Sequence, residues 1–275
     1  MTDVRTESMP AAGDFVPETD ELLYERRGST AFLTFNRPAA RNAMTWAMYL
    51  GLHDACDHVD GDERVRVFVL RGAGDKAFVA GTDISQFQSF SSAEDVLGYE
   101  RMVSRTLGRL EAVQKPTIAM IRGFCVGGGA LIASACDLRL ATPDAQFGVP
   151  VARTLGNIVS THGFALLVAL IGPARTKELL FTARLADAAE AKAIGLFNEI
   201  VEPGHLEDRT LELATQMAEL APLTLRATKE TVRRILEHSR PEDFDDLILS
   251  CYMSEDFKEG VAAFLEKRPP RWTGR

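Results

Sequence analysis

The sequence predicts an α/β core followed by a helical C-terminal part. Runs rich in β-branched and aromatic residues alternate with helix-like segments as far as about residue 200. Beyond that point helical patterning dominates. Two glycine turns, Phe78-Val79-Ala80-Gly81-Thr82-Asp83 and Val126-Gly127-Gly128-Gly129, each follow a strand-like run.

The elements follow in order. Residues 29–36 (STAFLTFN) predict a strand, ended by Arg37-Pro38. Thr45 is the N-cap of a helix to about residue 59, with Met48, Leu52, Ala55 and Cys56 as its apolar positions. Residues 65–70 (VRVFVL) predict a second strand, stopped by Gly72-Ala73-Gly74-Asp75. A short extended piece at 77–80 leads into Gly81-Thr82-Asp83, and the polar, Ser/Phe-rich stretch 86–94 reads as mobile. A helix over about 94–113 comes next, then a strand at 117–122 that Pro116 starts. The glycine run opens a helix of small apolar residues, and 137–141 is another strand. Helices are expected at about 158–171, 174–182 and 187–193, a short strand at 197–201, and helices at about 205–220, 222–238, 244–253 and 257–266. The polar first 20 residues, with Pro10, Gly13 and Pro17, read as a flexible leader. The chain thus divides into a leader (1–20), an α/β core (21–205) and a helical region (206–275).

The bulk numbers narrow the function classes. A chain of 275 residues, 46% hydrophobic and 25% charged, has an ordinary globular composition. Its net charge of −8 argues against general nucleic-acid binding. Cys56, Cys125, Cys136 and Cys251 form no CxxC and no metal spacing, and Cys125 and Cys136 read as reduced core residues. No charged-then-apolar signal sequence and no apolar run of about 18 residues is found, so a soluble cytoplasmic protein without a membrane or metal partner is expected.

The segment from Gly123 to Asp137 carries the chemistry. Three consecutive glycines join a strand to a helix, so a bare backbone N–H can face a ligand at a helix N-terminus. Such a turn can hold developing negative charge on a carbonyl oxygen. Ala130-Leu131 follows it, with no acid or base. A dinucleotide fingerprint in its expected place and a P-loop are both missing.

Several ordered segments resemble the enoyl-CoA hydratase/isomerase (crotonase) family. They are Leu33-Thr34-Phe35-Asn36-Arg37-Pro38 with Asn42-Ala43-Met44, residues 78–84, Lys115-Pro116-Thr117-Ile118-Ala119, residues 123–137 and Ala145-Gln146-Phe147-Gly148-Val149-Pro150. Phe181-Thr182-Ala183-Arg184, residues 188–195, Glu259-Gly260-Val261 and Phe264-Leu265-Glu266-Lys267-Arg268 extend the likeness over most of 22–268. The resemblance implies a crotonase-like spiral of ββα units and a helical C-terminal region that mediates trimerisation, hexamers being two trimers. It implies a CoA thioester as substrate, its oxygen held between two backbone N–H groups that map to Ala80 and Gly128. CoA is then part of the substrate, with no separate cofactor. Arg41 and Lys267 become candidates for the CoA phosphates, and Gly81, Thr82 and Asp83 for the adenine and pantetheine passage, with Asp83 fixing the turn.

The chain departs from that pattern where hydratases of the family use two glutamates. Leu131 and Val151 fill those positions, and neither can move a proton. The acid of dienoyl isomerases maps to Ser160. The run from Val151 to Asn157 is also one residue longer than usual. Arg153, Thr154, Asn157, Ser160 and His162 are the polar residues of this region. His162 is a candidate base and Arg153 a candidate partner for a substrate carboxylate. Glu94, Asp95 and Glu100, from a wall segment, are candidate replacement acids.

Two readings stay open. One is an enzyme on acyl-CoA thioesters with a non-standard proton-transfer group and weak or no crotonyl-CoA hydration. The other is a non-catalytic acyl-CoA-binding protein. An apolar wall around Leu131 and Val151 with no ionisable group favours binding, and a wall carboxylate pointing in favours the enzyme.

Overall fold

The computed structural model describes residues 15–237 and 245–275. Strand β1 (Leu22–Arg27) pairs antiparallel with β2 (Thr30–Phe35). Helix α1 (Trp46–Gly61) follows, its first turn capped by Thr45, which accepts from the Met48 N–H at 3.3 Å. The chain then repeats a strand, a second strand and a helix. The units are β3 (Val67–Gly72), β4 (Ala77–Ala80) and α2 (Ala93–Glu111); β5 (Thr117–Ile121), β6 (Phe124–Val126) and α3 (Gly128–Ala135); and β7 (Leu138–Ala141), β8 (Gln146–Gly148) and α4 (Val151–Thr154). Helix α5 (Thr161–Thr182), β9 (Ala186–Asp187), α6 (Ala188–Ala193) and β10 (Glu199–Ile200) precede the helices α7 (Leu206–Ala218), α8 (Pro222–Glu237), α9 (Asp245–Tyr252) and α10 (Glu255–Leu265).

The first strand of each unit enters a six-stranded sheet ordered β1-β2-β3-β5-β7-β10, and the second a four-stranded sheet ordered β4-β6-β8-β9. Pairing is parallel except for β1 with β2 and β8 with β9. Each unit therefore advances one place in both sheets, and the fold is the crotonase-like spiral of ββα units that the resemblance implied.

Side-chain alternation explains why these strands are apolar on both faces. Leu33, Phe35, Phe68, Leu70, Ala119 and Ile121 point into a core shared with α1, α2 and α3. Phe32, Val67, Val69, Ile118 and Met120 point the other way, against Leu206 and Ala214 of α7. A third cluster joins Phe87 and Val96 to Ile248, Tyr252, Phe257 and Val261, so α9 and α10 pack beside the segment that follows β4.

Several expectations are corrected. The stretch 86–94 is not a loose polar segment: Phe87 is buried, and both Phe87 and Phe90 stack in a ring cluster with Trp46, Tyr99 and Tyr252. Packing begins before residue 20, because the Phe15 ring meets Tyr24 and His58; residues 1–14 of the expected leader lie outside the described residues. Strands β1, β6, β8 and β9 and the short helix α4 were not foreseen. The helix expected from 158 starts at Thr161, where Ser160 caps it through the Gly163 N–H at 3.1 Å. His238 and Phe244, the expected edges of two helices, lie outside the described residues. Among the described residues no helix is long and apolar enough to cross a membrane.

Candidate active site

The two glycine turns meet at one cavity of about 450 Å³, lined by Gly81, Thr82, Gly127 and Gly128 together with Leu131 and Val151. The local backbone decides which N–H groups are free there. Gly127 adopts φ 57° and precedes α3 without a side-chain cap, and its N–H donates to Gly148 O at 2.9 Å. Gly128 is the first helical residue, so its N–H has no acceptor inside the helix and carries the positive end of the helix dipole.

On the opposite side, the expected donor at Ala80 is corrected. The Ala80 N–H is already spent on Arg41 O at 3.1 Å. Two residues on, Met44 N donates to Gly81 O at 2.9 Å and Asp83 N to Met44 O at 2.8 Å, a parallel bridge that flanks Thr82. Because the peptide plane sets C=O and N–H in opposite directions, Gly81 O points at Met44 and the Thr82 N–H points away from it. Thr82 also lies close to Gly128: a Cβ on Gly128 would come within 3.3 Å of Thr82 Oγ1 and 2.5 Å of the Tyr49 hydroxyl. The free pair of backbone donors is Thr82 and Gly128.

The polar groups around this pair come from distant parts of the chain. Tyr49 Oη and Tyr99 Oη lie 2.8 Å and 3.0 Å from Thr82 Oγ1. Burial pushes the Tyr49 hydroxyl up to about 12 and raises Tyr99 well above the ordinary tyrosine range, so both stay neutral. Glu100, also on the cavity wall, accepts from the Tyr252 hydroxyl at 2.6 Å, and Asn157 Nδ2 donates to that same hydroxyl at 2.8 Å. Burial pushes the Glu100 carboxyl up to about 7, while the Tyr252 bond acts in the opposite sense. Thr154 and Ser160 add further polar groups to the lining.

The remaining predicted residues divide. Arg41 lines the cavity mouth with its guanidinium 5.1 Å from the centre of the Phe124 ring. Asp83 lines the cavity but is held in the turn by Arg37 at 2.9 Å and by Ser85; burial pushes its carboxyl up, and the bonds from Ser85 and Arg37 outweigh that and lower it. His162 is taken away from the cavity: its Nε2 sits 2.6 Å from Glu111 Oε2, and it is not part of the lining. Arg153 is exposed on α4 and also outside the lining. Lys267 is exposed and outside it, although Phe264, one turn earlier, is on the wall. Glu94 pairs with Arg101 at the surface and Asp95 closes a capping box with Ser92, which leaves Glu100 as the one of those three carboxylates on the wall. Tyr49, Tyr99 and Tyr252 had not been singled out. Their hydroxyls meet only through tertiary packing, which no spacing along the chain records.

The family profile described as "Enoyl-CoA hydratase/isomerase" matches residues 25–275. Curated relatives include a short-chain-enoyl-CoA hydratase from Clostridium acetobutylicum, 34% identical over 91% of this chain and 97% of its own length. A crotonyl-CoA hydratase from Syntrophomonas wolfei is 35% identical over 90% of this chain and 96% of its own. Among solved structures, a methylmalonyl-CoA decarboxylase in complex with 2-nitronate-propionyl-CoA superposes with a TM-score of 0.84 at 31% identity, covering 93% of this chain and 99% of that one. An enoyl-CoA hydratase/carnithine racemase from Magnetospirillum magneticum gives 0.77 at 34% identity, covering 94% and 97%.

Proposed function

This chain belongs to the enoyl-CoA hydratase/isomerase family of enzymes, and we propose that it acts on an acyl-CoA thioester by stabilising an enolate-like oxygen between the Thr82 and Gly128 N–H groups. The observation that carries this reading is the convergence of two unspent backbone donors, one on a helix N-terminus, on a single cavity. Preorganised donors of this kind lower the barrier because they need no reorientation as charge develops, and losing one costs on the order of 3 kcal/mol. The superposed decarboxylase holds a nitronate CoA ester, whose anionic group resembles an enolate in charge. Arg41, at the mouth, is the cation for the CoA phosphates, and the 81–83 turn carries the pantetheine arm past Asp83. Lys267 serves the same CoA moiety from the C-terminal side. A homotrimer, alone or doubled, is the assembly we assign.

Ordinary hydration is weak in this reading. Leu131 and Val151 stand on the cavity wall where a hydratase of the family needs carboxylates to activate water and to handle the α-proton. The apolar wall they make also supports the second reading, a non-catalytic acyl-CoA-binding protein. Glu100 on the same wall favours the enzyme. Incubation with a mixed acyl-CoA pool, followed by mass spectrometry of bound and free esters, tests both. Selective capture of one ester that is then chemically changed is the expected result. Tight capture without change supports the binder, and no capture of any CoA ester contradicts both.

A further inference from the structure

We propose that Glu100, held by Tyr252 and Asn157, is the acid–base residue that exchanges the α-proton of the bound acyl group in place of the two missing glutamates. The inference rests on the acyl-CoA reading above. It comes from the chain of hydrogen bonds on the cavity wall that runs from Asn157 through Tyr252 to the Glu100 carboxylate.

Glu100 is 6% exposed, yet only one of its oxygens is occupied. Oε1 accepts from Tyr252, and Oε2 has no partner among the described residues and is not sealed off, which leaves it to the cavity that Glu100 lines. A buried carboxylate costs several kcal/mol unless it is compensated. No cation does so here: burial and the Tyr252 hydroxyl are the two influences on its protonation. The titratable groups facing it are Tyr252 from α9, Tyr49 from α1 and Tyr99 from its own helix, all neutral. From α3 the apolar Leu131 lines the same cavity. Asn157 donates into Tyr252, which strengthens the donation of Tyr252 to Glu100. Asn157 Oδ1 is itself buried without a partner. A structural site would be expected to satisfy these groups; a proton-transfer site leaves them to the substrate.

The support is rigid. The Ser92–Asp95 capping box fixes one end of α2, and Arg109 pins the other to Asp57 and Asp60 of α1 at 2.5 and 2.6 Å. Glu100 is thus presented from a fixed helix. With the carboxyl near 7, both protonation states are populated at neutral pH, as proton transfer in both directions requires.

The step balances without a co-reactant. Ionised Glu100 takes a proton from the α-carbon, and that C–H electron pair forms the Cα–C1 double bond. The carbonyl π pair moves to the thioester oxygen, held by the Thr82 and Gly128 N–H groups. Reversal returns a proton from Glu100 to the α-carbon. In D2O the cycle replaces α-hydrogen by deuterium.

The test uses the full chain with butyryl-CoA in D2O, following α-deuterium by mass spectrometry and ester binding by calorimetry. Wild type should incorporate deuterium, and Glu100→Gln should lower the rate by roughly 100-fold or more while binding the ester as wild type does. Tyr252→Phe removes a bond that favours ionised Glu100, so its exchange rate should rise with pH at a higher pH than in wild type. That displaced pH limb is a readout that a merely structural Tyr252 would leave in place. Ester binding with no exchange by wild type, or unchanged exchange in Glu100→Gln, overturns the inference alone. No ester binding overturns the acyl-CoA reading and the inference with it.

Discussion

A methyl group on Gly128 would stand 2.5 Å from the Tyr49 hydroxyl and 3.3 Å from Thr82 Oγ1, so the donor turn has room for hydrogen only. Gly128→Ala must displace the Tyr49–Thr82–Tyr99 hydroxyl set, and turnover of the accepted ester is expected to fall by about 100-fold or more. Steady-state kinetics checks this, and wild-type turnover would contradict it. Glu100 yields a second expectation. Its ordinary value is 4.5 and its folded value about 7. Below the first it is protonated in both states. Between the two the unfolded chain ionises first, so stability falls as pH rises, and the loss is complete above the second. Glu100→Gln abolishes that titration. Its stability relative to wild type should rise by about 3 kcal/mol between about pH 4 and pH 8. Urea unfolding at both pH values measures this, and a constant difference would contradict it. At this scale the glycine turn at the start of α3 was legible because three glycines before a helix are a local signal. The second donor was not, because strand pairing decides which N–H is spent. Arg41 O takes that of Ala80, and the bridge to Met44 turns that of Thr82 outward.

Helix α5 shows what an element owes to a single backbone angle. Gly172 sits at φ 74°, ψ 165° inside it, immediately before Pro173, and divides it into two helical pieces. That region of backbone space is almost closed to side chains, and nothing within 4 Å would obstruct a Cβ there. Gly172→Ala therefore measures backbone strain alone, and should cost about 1–3 kcal/mol in urea unfolding; an unchanged midpoint would contradict the conformation. The break was readable, since Gly-Pro separates the expected helices at 158–171 and 174–182. Strands β6 and β8 were not, because three residues are too few to show a period of two. Edge strand β1 was missed because Glu25, Arg26 and Arg27 give it a polar half. The stretch 86–94 was misjudged because its serines suggested a loop, whereas Phe87 and Phe90 complete a ring cluster with residues far away in sequence.

At the scale of the molecule, α8 has no buried residue, and Leu223, Val232 and Ile235 are 76%, 52% and 66% exposed. Apolar side chains left open in this way fit burial between copies. Light scattering should give about three or six times the 30.2 kDa chain mass, and a monomer would contradict the assigned assembly. The spiral itself was legible from ordered motifs spread along the chain, and the topology of the two sheets agrees with them. The acid–base machinery was legible only as a loss, at Leu131 and Val151. The replacement we propose rests on α9 packing Tyr252 against Glu100, a contact 152 residues apart. The most direct test of the central claim is kcat/KM for crotonyl-CoA hydration, measured beside a crotonyl-CoA hydratase such as the one from Syntrophomonas wolfei. Glu100 is assigned to the α-proton, so the group that activates water is the one left without a replacement; such a group is worth roughly 10²–10⁴, and a value at least about 10² below that of the hydratase is predicted. A value within about tenfold of it would contradict the reading of Leu131 and Val151, because so small a deficit leaves no room for even one lost proton-transfer group.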